Sequence, residues 1–189
     1  MAKSPVMQWD ELNLLRSSAE DMIRDYRKSQ DKEAVKRWCD YMEFVLCMVY
    51  AYGWQDAEEI VGIVPIKDGL DDKTVNLDID GETFRERVQT QLDADSLDGI
   101  LRIIDTEAHR DYNTAVYDAG KASGVSGLRK RWETMKDDRV RDEHQYLEGV
   151  TVGMDDYFYT ATGEYALHPG GFGVPDLDIN CRCSISLVR

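Results

Sequence analysis

Positive charge is scarce in this 189-residue chain: 23 Lys and Arg stand against 37 Asp and Glu, for a formal net charge of −14. A surface of that sign repels a phosphate backbone, so loose electrostatic binding to nucleic acid is disfavoured. It suits solubility, or docking onto a basic ring of a partner. Long apolar runs are missing too, and no stretch is long enough to span a bilayer. The start, Met1-Ala2-Lys3-Ser4-Pro5, is followed by charged residues rather than by the apolar core of a signal peptide. The four cysteines do not make a disulfide framework. Cys39 and Cys47 fall on nearly one side of a helical pattern but two turns apart, too far to bridge. A chain made and kept in a reducing cytoplasm is expected. Internal repeats, low-complexity segments, a Gly-rich phosphate loop, a nucleophile elbow and an H-E-x-x-H pair are all absent.

What is present suffices for one good core, or for a core with a smaller helical appendage. With 42% hydrophobic and 32% charged residues the composition is that of an ordinary soluble protein, which excludes global disorder. Leu12, Leu15, Ala19, Met22, Ile23 and Tyr26 recur at three- and four-residue steps, predicting a helix from Met7 to about Lys28. Asp31 caps a second, from Lys32 to about Tyr52, which is apolar nearly all round beyond Phe44. Gly53 reads as its stop, with a short helical piece from Asp56 to Val61. Residues 63–81 hold Pro65 and the acidic pair Asp71-Asp72, with a short extended piece at Val75–Ile79, and mark the best boundary. The expected organisation is therefore an N-terminal helical region (1–62), a linker (63–81) and an α+β domain (82–189).

That domain opens with a helix from about Glu82 to Leu92. Asp95 or Ser96 then caps a longer one, with a core stripe from Leu97 through Ile104, Ala108 and Ala115 to Ala119, ended by Gly124. On its opposite face Thr106, Arg110, Asn113 and Tyr117 stack, able to bond a neighbouring strand, turn or subunit or simply to face solvent. From Leu128 to Thr134 apolar or neutral residues alternate with charged ones, as in a half-buried strand. Asp137 and Asp138 are suited to start a short helix whose Val140, His144 and Leu147 share one inward face, and Gly149 can end it. Val150–Val152 and Asp156–Thr160 read as strands, and Thr162-Gly163 turns the chain into Glu164–Leu167. His168 to Pro175 must be irregular, and Cys181–Val188 closes a small, mostly antiparallel sheet. The class is α+β: helices first, sheet last.

Four motifs in order give the second half a likeness. Thr106-Glu107-Ala108-His109-Arg110-Asp111-Tyr112-Asn113 precedes the Trp132 strand. Asp137-Asp138-Arg139-Val140-Arg141 with His144 follows it, then Leu147-Glu148-Gly149, and last Asn180-Cys181-Arg182-Cys183. From about Phe84 to its end the chain resembles the Mu protein F-like family of phage minor head, or head morphogenesis, proteins. The resemblance implies a structural role in head assembly or DNA packaging, a few copies per virion, and a place inside the capsid near the portal. It implies portal or capsid proteins as partners, with the N-terminal helices docking on them or on other copies of this chain. It marks Thr106, Glu107, Arg110, Asn113, Trp132, Asp138, Arg139, Arg141, His144, Asn180 and Arg182 as motif positions, none of them catalytic.

Two chemistries stand beside that role. Cys181 and Cys183, two apart on one strand face, and the inward His144 are three plausible zinc ligands, with Asp137, Asp138 or His168 as a fourth. The alternative keeps the cysteines as small buried hydrophobes and His144 as a hydrogen-bonded core residue. A nuclease- or hydrolase-like site would pair His144 with Asp137 or Asp138 as acid and base, with Arg139 or Arg141 on a phosphate. Arg129-Lys130-Arg131 is the dense basic stretch, whose Arg129 and Arg131 face one way, toward a carboxylate or phosphate surface or toward solvent at a sheet edge.

Overall fold

In the computed structural model, residues 10–66 and 82–189 are described. Their order is α1 (Asp10–Ser29), α2 (Lys32–Val61), α3 (Phe84–Asp93), α4 (Leu97–Ser123) and β1 (Arg129–Glu133). It continues through α5 (Asp142–Leu147), β2 (Thr151–Gly153), β3 (Phe158–Tyr159), β4 (Tyr165–Ala166), α6 (Pro175–Asp178) and β5 (Ser184–Val188). Helices come first and small antiparallel sheets last, the expected α+β arrangement. Met7–Trp9 and the expected extended piece at Val75–Ile79 lie outside the described residues.

Side-chain caps set three of the helix starts. The Asp31 carboxylate accepts from the backbone N–H groups of Glu33 and Ala34 at 2.9 and 3.1 Å, satisfying two of the donors that a first turn leaves free. Thr83 and Glu86 form a reciprocal capping box that starts α3 two residues later than its apolar spacing suggests. Ser96, not Asp95, caps α4 by accepting from Gly99 N–H at 3.0 Å.

Gly53 does not stop α2. The helix runs through it for 30 residues to Val61, so the expected separate piece is simply its last turns. The glycine serves packing instead. A Cβ at position 53 would lie 2.5 Å from the Tyr112 carbonyl oxygen and 3.0 Å from the Ala115 methyl; its absence lets α2 and α4 approach closely.

One hydrophobic core joins the N-terminal helices to the sheet. Leu12, Leu15 and Ala19 of α1, Met42, Val45 and Leu46 of α2, and Ile100, Ile104 and Ala108 of α4 are almost wholly buried. The same cluster continues into Trp132, Ile185 and Leu187. A fully buried Leu or Ile of this kind contributes roughly 1.5–3 kcal/mol. Polar pins fix the register at the margins: Tyr112 donates to Asp56 at 2.7 Å, Tyr50 to Asp118 at 2.8 Å, and Arg16 to Asp105 at 2.7 Å. The first two helices therefore pack on their own chain.

In the three-stranded sheet β1 lies between β2 and β5 and is antiparallel to both. Trp132 stands opposite Ile185, and Lys130 opposite both Val152 and Leu187. Lys130 keeps the in–out alternation but puts a charge on the inward face: it points inward with Trp132 and is fully buried, while Arg129 and Arg131 face out. β3 and β4 form a separate hairpin across the anticipated turn, with Gly163 at φ 100.

Candidate functional site

Trp132 is the centre of the C-terminal half. It is fully buried on the middle strand, and its N–H and C=O pair with Val150 and Gly149 at 2.9 Å each. Three rings close around the indole: Phe158 at 5.2 Å and His144 at 5.6 Å, both edge-on, and Phe172 at 5.8 Å. Phe172 also stacks on the His144 imidazole at 5.7 Å and 17°. Edge-on and offset pairs like these suit the ring quadrupoles and add to plain burial.

His144 reaches that nest from α5. The helix begins at Asp142, not at Asp137 or Asp138, with Arg141 as its N-cap. The aspartates have other partners. Asp137 accepts from Arg139 N–H at 3.2 Å and takes a two-pronged contact from Arg182 at 2.9 and 2.7 Å. The Arg182 contact is the main reason its carboxyl is held below the usual range. Asp138 and Arg139 are exposed in the turn. The inward face of Val140, His144 and Leu147 is nevertheless as expected, all three being buried.

Facing His144 are the two cysteines of the last segment. Cys181 and Cys183 are buried and free, immediately before β5 rather than within it. Each sulfur lies 3.6 Å from His144 Nδ1. A hydrogen bond to Cys183, with burial, pushes the Cys181 thiol well above its ordinary value. The same bond draws Cys183 down against its burial, assisted by the Trp132 indole N–H and by the Arg141 and Arg182 guanidinium groups. Asp137, Asp138 and His168 do not join this cluster. His168 sits elsewhere, its ring 5.9 Å from Tyr117, with burial pushing its pKa down to about 4.

The polar face of α4 holds the cysteine segment in place. Asn113 donates to the Cys183 carbonyl at 3.1 Å and accepts from Ile185 N–H at 2.9 Å, acting as one more backbone partner for the start of β5. Thr106 accepts from Asn180 N–H at 3.2 Å, and Asn180 is left-handed at φ 57. Arg141 donates to the Ile179 carbonyl. Arg110 is buried and pairs with buried Glu107, which also takes Arg87 at 2.8 Å. Gly170, at φ 79, lies against the Arg110 stem, where a Cβ would come within 3.1 Å. This face is thus an internal network, not a solvated one. Thr106 and Asn113 bond the segment around β5, while Arg110 pairs with Glu107 of its own helix.

Other contributors serve the fold in roles that the sequence did not assign to them. Asp178 accepts from Phe172 and Gly173 N–H at 3.1 and 2.7 Å and so folds the glycine-rich loop under the sheet. Glu148 accepts from Thr134 N–H at 2.7 Å. Lys130 donates to the Met154 carbonyl at 3.0 Å and lies 4.6 Å over the Tyr117 ring, with burial lowering its pKa to about 8. Arg129 donates to Thr151 and Arg131 to Glu133, so both serve their own sheet.

Helix α4, the Trp132 strand, α5 and the cysteine segment are thus one α+β unit closed over a buried His-Cys-Cys cluster. The chain belongs to the family described as Phage Mu protein F like protein, whose model matches residues 78–186. Over 87 residues it is 38% identical to a protein of Enterococcus faecalis named NAD(+)--arginine ADP-ribosyltransferase EFV, covering 44% of this chain and 18% of that protein. Over 84 residues it is 31% identical to Minor head protein GP7 of Bacillus phage SPP1, covering 44% of this chain and 27% of that protein. The chain therefore spans less than a third of the length of these curated relatives. No solved structure matches it.

Proposed function

We propose that the protein is a minor head protein of a phage or prophage, acting in head morphogenesis and DNA packaging from inside the capsid near the portal. The observation that carries this reading is the 31% identity to a phage minor head protein over 84 residues, within a chain that belongs to the family. The physical character of the molecule supports it. Most polar side chains of the motifs are spent on internal bonds, as suits a structural part. The net charge of −14 favours docking on a basic protein surface over contact with DNA. Leu14, Tyr41 and Phe44 stay exposed on α1 and α2 and offer apolar anchors for portal or capsid proteins, or for further copies of the chain.

Catalysis forms no part of the reading. The His144 imidazole faces two thiols while the Asp137 carboxylate serves Arg182, so the acid–base pair of a nuclease- or hydrolase-like site is not assembled. The transferase name belongs to a protein of which this chain covers 18%, too small a share to bring that activity with it.

The test is deletion of the gene from its phage or prophage, followed by electron microscopy of the induced particles and mass spectrometry of purified wild-type virions. Detection of the chain in virions, with defective or non-infectious heads on deletion, is the expected result. Normal infectious heads that lack the protein would sink the proposal.

A further inference from the structure

We propose that His144, Cys181 and Cys183 are the protein ligands of a zinc ion. Their three donor atoms are buried and all lie within 4.8 Å of one another. The two nitrogen–sulfur distances are each 3.6 Å. Tetrahedral zinc with Zn–S bonds of about 2.3 Å and a Zn–N bond of about 2.0–2.1 Å separates nitrogen from sulfur by about 3.6 Å. A metal-free imidazole meets the two sulfurs less well. Its Nδ1 carries either one lone pair or one N–H, which can aim at only one sulfur at a time. A metal engages all three donors together.

The donor set selects the ion. Two thiolates and an imidazole suit zinc, whereas magnesium and calcium require oxygen ligands. Two thiolates also balance a divalent charge, so the burial leaves no net charge in the core. On binding, the thiol protons leave to solvent. One outer donor is at hand: the buried Trp132 indole N–H makes no hydrogen bond of its own and acts on the Cys183 thiol, while the second imidazole nitrogen, His144 Nε2, is buried without a partner. N–H groups around a ligating thiolate tune and orient it.

Beside His144 and Cys183 a recess bordered by Met135, Val140, Asn180 and Arg182 has about 10 Å³ of room for a water. That is about the space of a single solvent molecule. The geometry therefore points to three protein ligands and one water. The ion would tie α5 to the segment before β5 and staple a sheet region of short strands and long loops. This inference does not rest on the assembly reading.

Native and denatured mass spectrometry of the reduced protein should show one zinc per folded chain. Replacement by cobalt(II) should give thiolate-to-metal charge transfer in the near ultraviolet and the strong visible bands of four-coordinate cobalt, displaced by added zinc. Cys39→Ser should keep those bands, and Cys181→Ser with Cys183→Ser should lose them. Should that double variant not fold, the wild-type protein decides alone: a chelator should lower its Tm and remove the zinc. A folded, reduced chain with no stoichiometric zinc and no cobalt–thiolate absorption would overturn the proposal. So would cobalt–thiolate bands that persist in the double cysteine variant.

Discussion

The Asn113 side chain bonds the backbone of the last strand as a neighbouring strand would, giving a donor to Cys183 and an acceptor to Ile185. Both backbone groups are buried and two residues apart, so an alanine at 113 leaves a carbonyl and an N–H without partners. Each such orphan costs about 1–3 kcal/mol. Asn113→Ala is expected to destabilise the protein by about 2–4 kcal/mol in urea denaturation. Asn113→Asp should do worse, since a carboxylate cannot donate to Cys183 and would itself be a buried charge. A variant as stable as the wild type would show that the segment before β5 is held by something else.

Trp132 meets three rings and the sheet at once, so its removal empties the middle of the C-terminal half. Trp132→Ala is expected to cost about 3–5 kcal/mol by the large-to-small rule. Trp132→Phe keeps an aromatic in the nest and should lose less than half of that. The check is the shift of the chemical-denaturation midpoint, with the slope compared to confirm that both chains unfold in the same way. No shift for alanine would mean that the ring nest is not part of the stability core.

Much of this arrangement was legible in local spacing. The stripe of α4, the shared face of Val140, His144 and Leu147, and the hairpin at Thr162-Gly163 all follow from periods of three to four or from turn chemistry. What escaped notice depends on distant partners. Asp137 looks like a helix cap, but its carboxylate is committed to Arg182, 45 residues away. Glu107 and Arg110 look like a solvated pair, yet Arg87 of α3 and the backbone at Gly170 enclose them. Lys130 looks like one of three surface cations, yet β2 and β5 on either side place it with Trp132. In each case the residue type fixed what bond was possible, and the tertiary fold decided which was made.

Gly53 is the same lesson in backbone form, and it makes a prediction with a definite sign. Helix propensity alone says that Gly53→Ala should stabilise α2 by about 1 kcal/mol. The added methyl would meet the Tyr112 carbonyl oxygen at 2.5 Å, and that atom belongs to a helix backbone that cannot swing aside. Overpacking of this kind costs about 1–3 kcal/mol, so the clash outweighs the propensity gain. The alanine variant should have a lower Tm than the wild type. A raised Tm would mean that α2 and α4 are not in such close contact.

Lys130 links the buried sheet face to pH. Its ammonium is fully enclosed, and burial holds its pKa at about 8 against an ordinary value of 10.5, despite the opposing pull of Asp156 and Asp155. Lys121 adds to the lowering. A base with a depressed folded pKa binds fewer protons folded than unfolded. Its penalty is therefore complete below about pH 8 and fades as pH rises toward 10.5. At about 1.4 kcal/mol per pKa unit the gain across that window is about 3 kcal/mol. Lys130→Met removes the charge at similar volume, and losing the bond to Met154 and the ring contacts offsets part of the benefit. The variant is expected to be at least as stable as the wild type at pH 7, its lead shrinking or reversing by pH 10. Urea midpoints of the two proteins measured side by side across that range isolate this one group. A difference that stays flat with pH would mean that the ammonium is hydrated in the folded state.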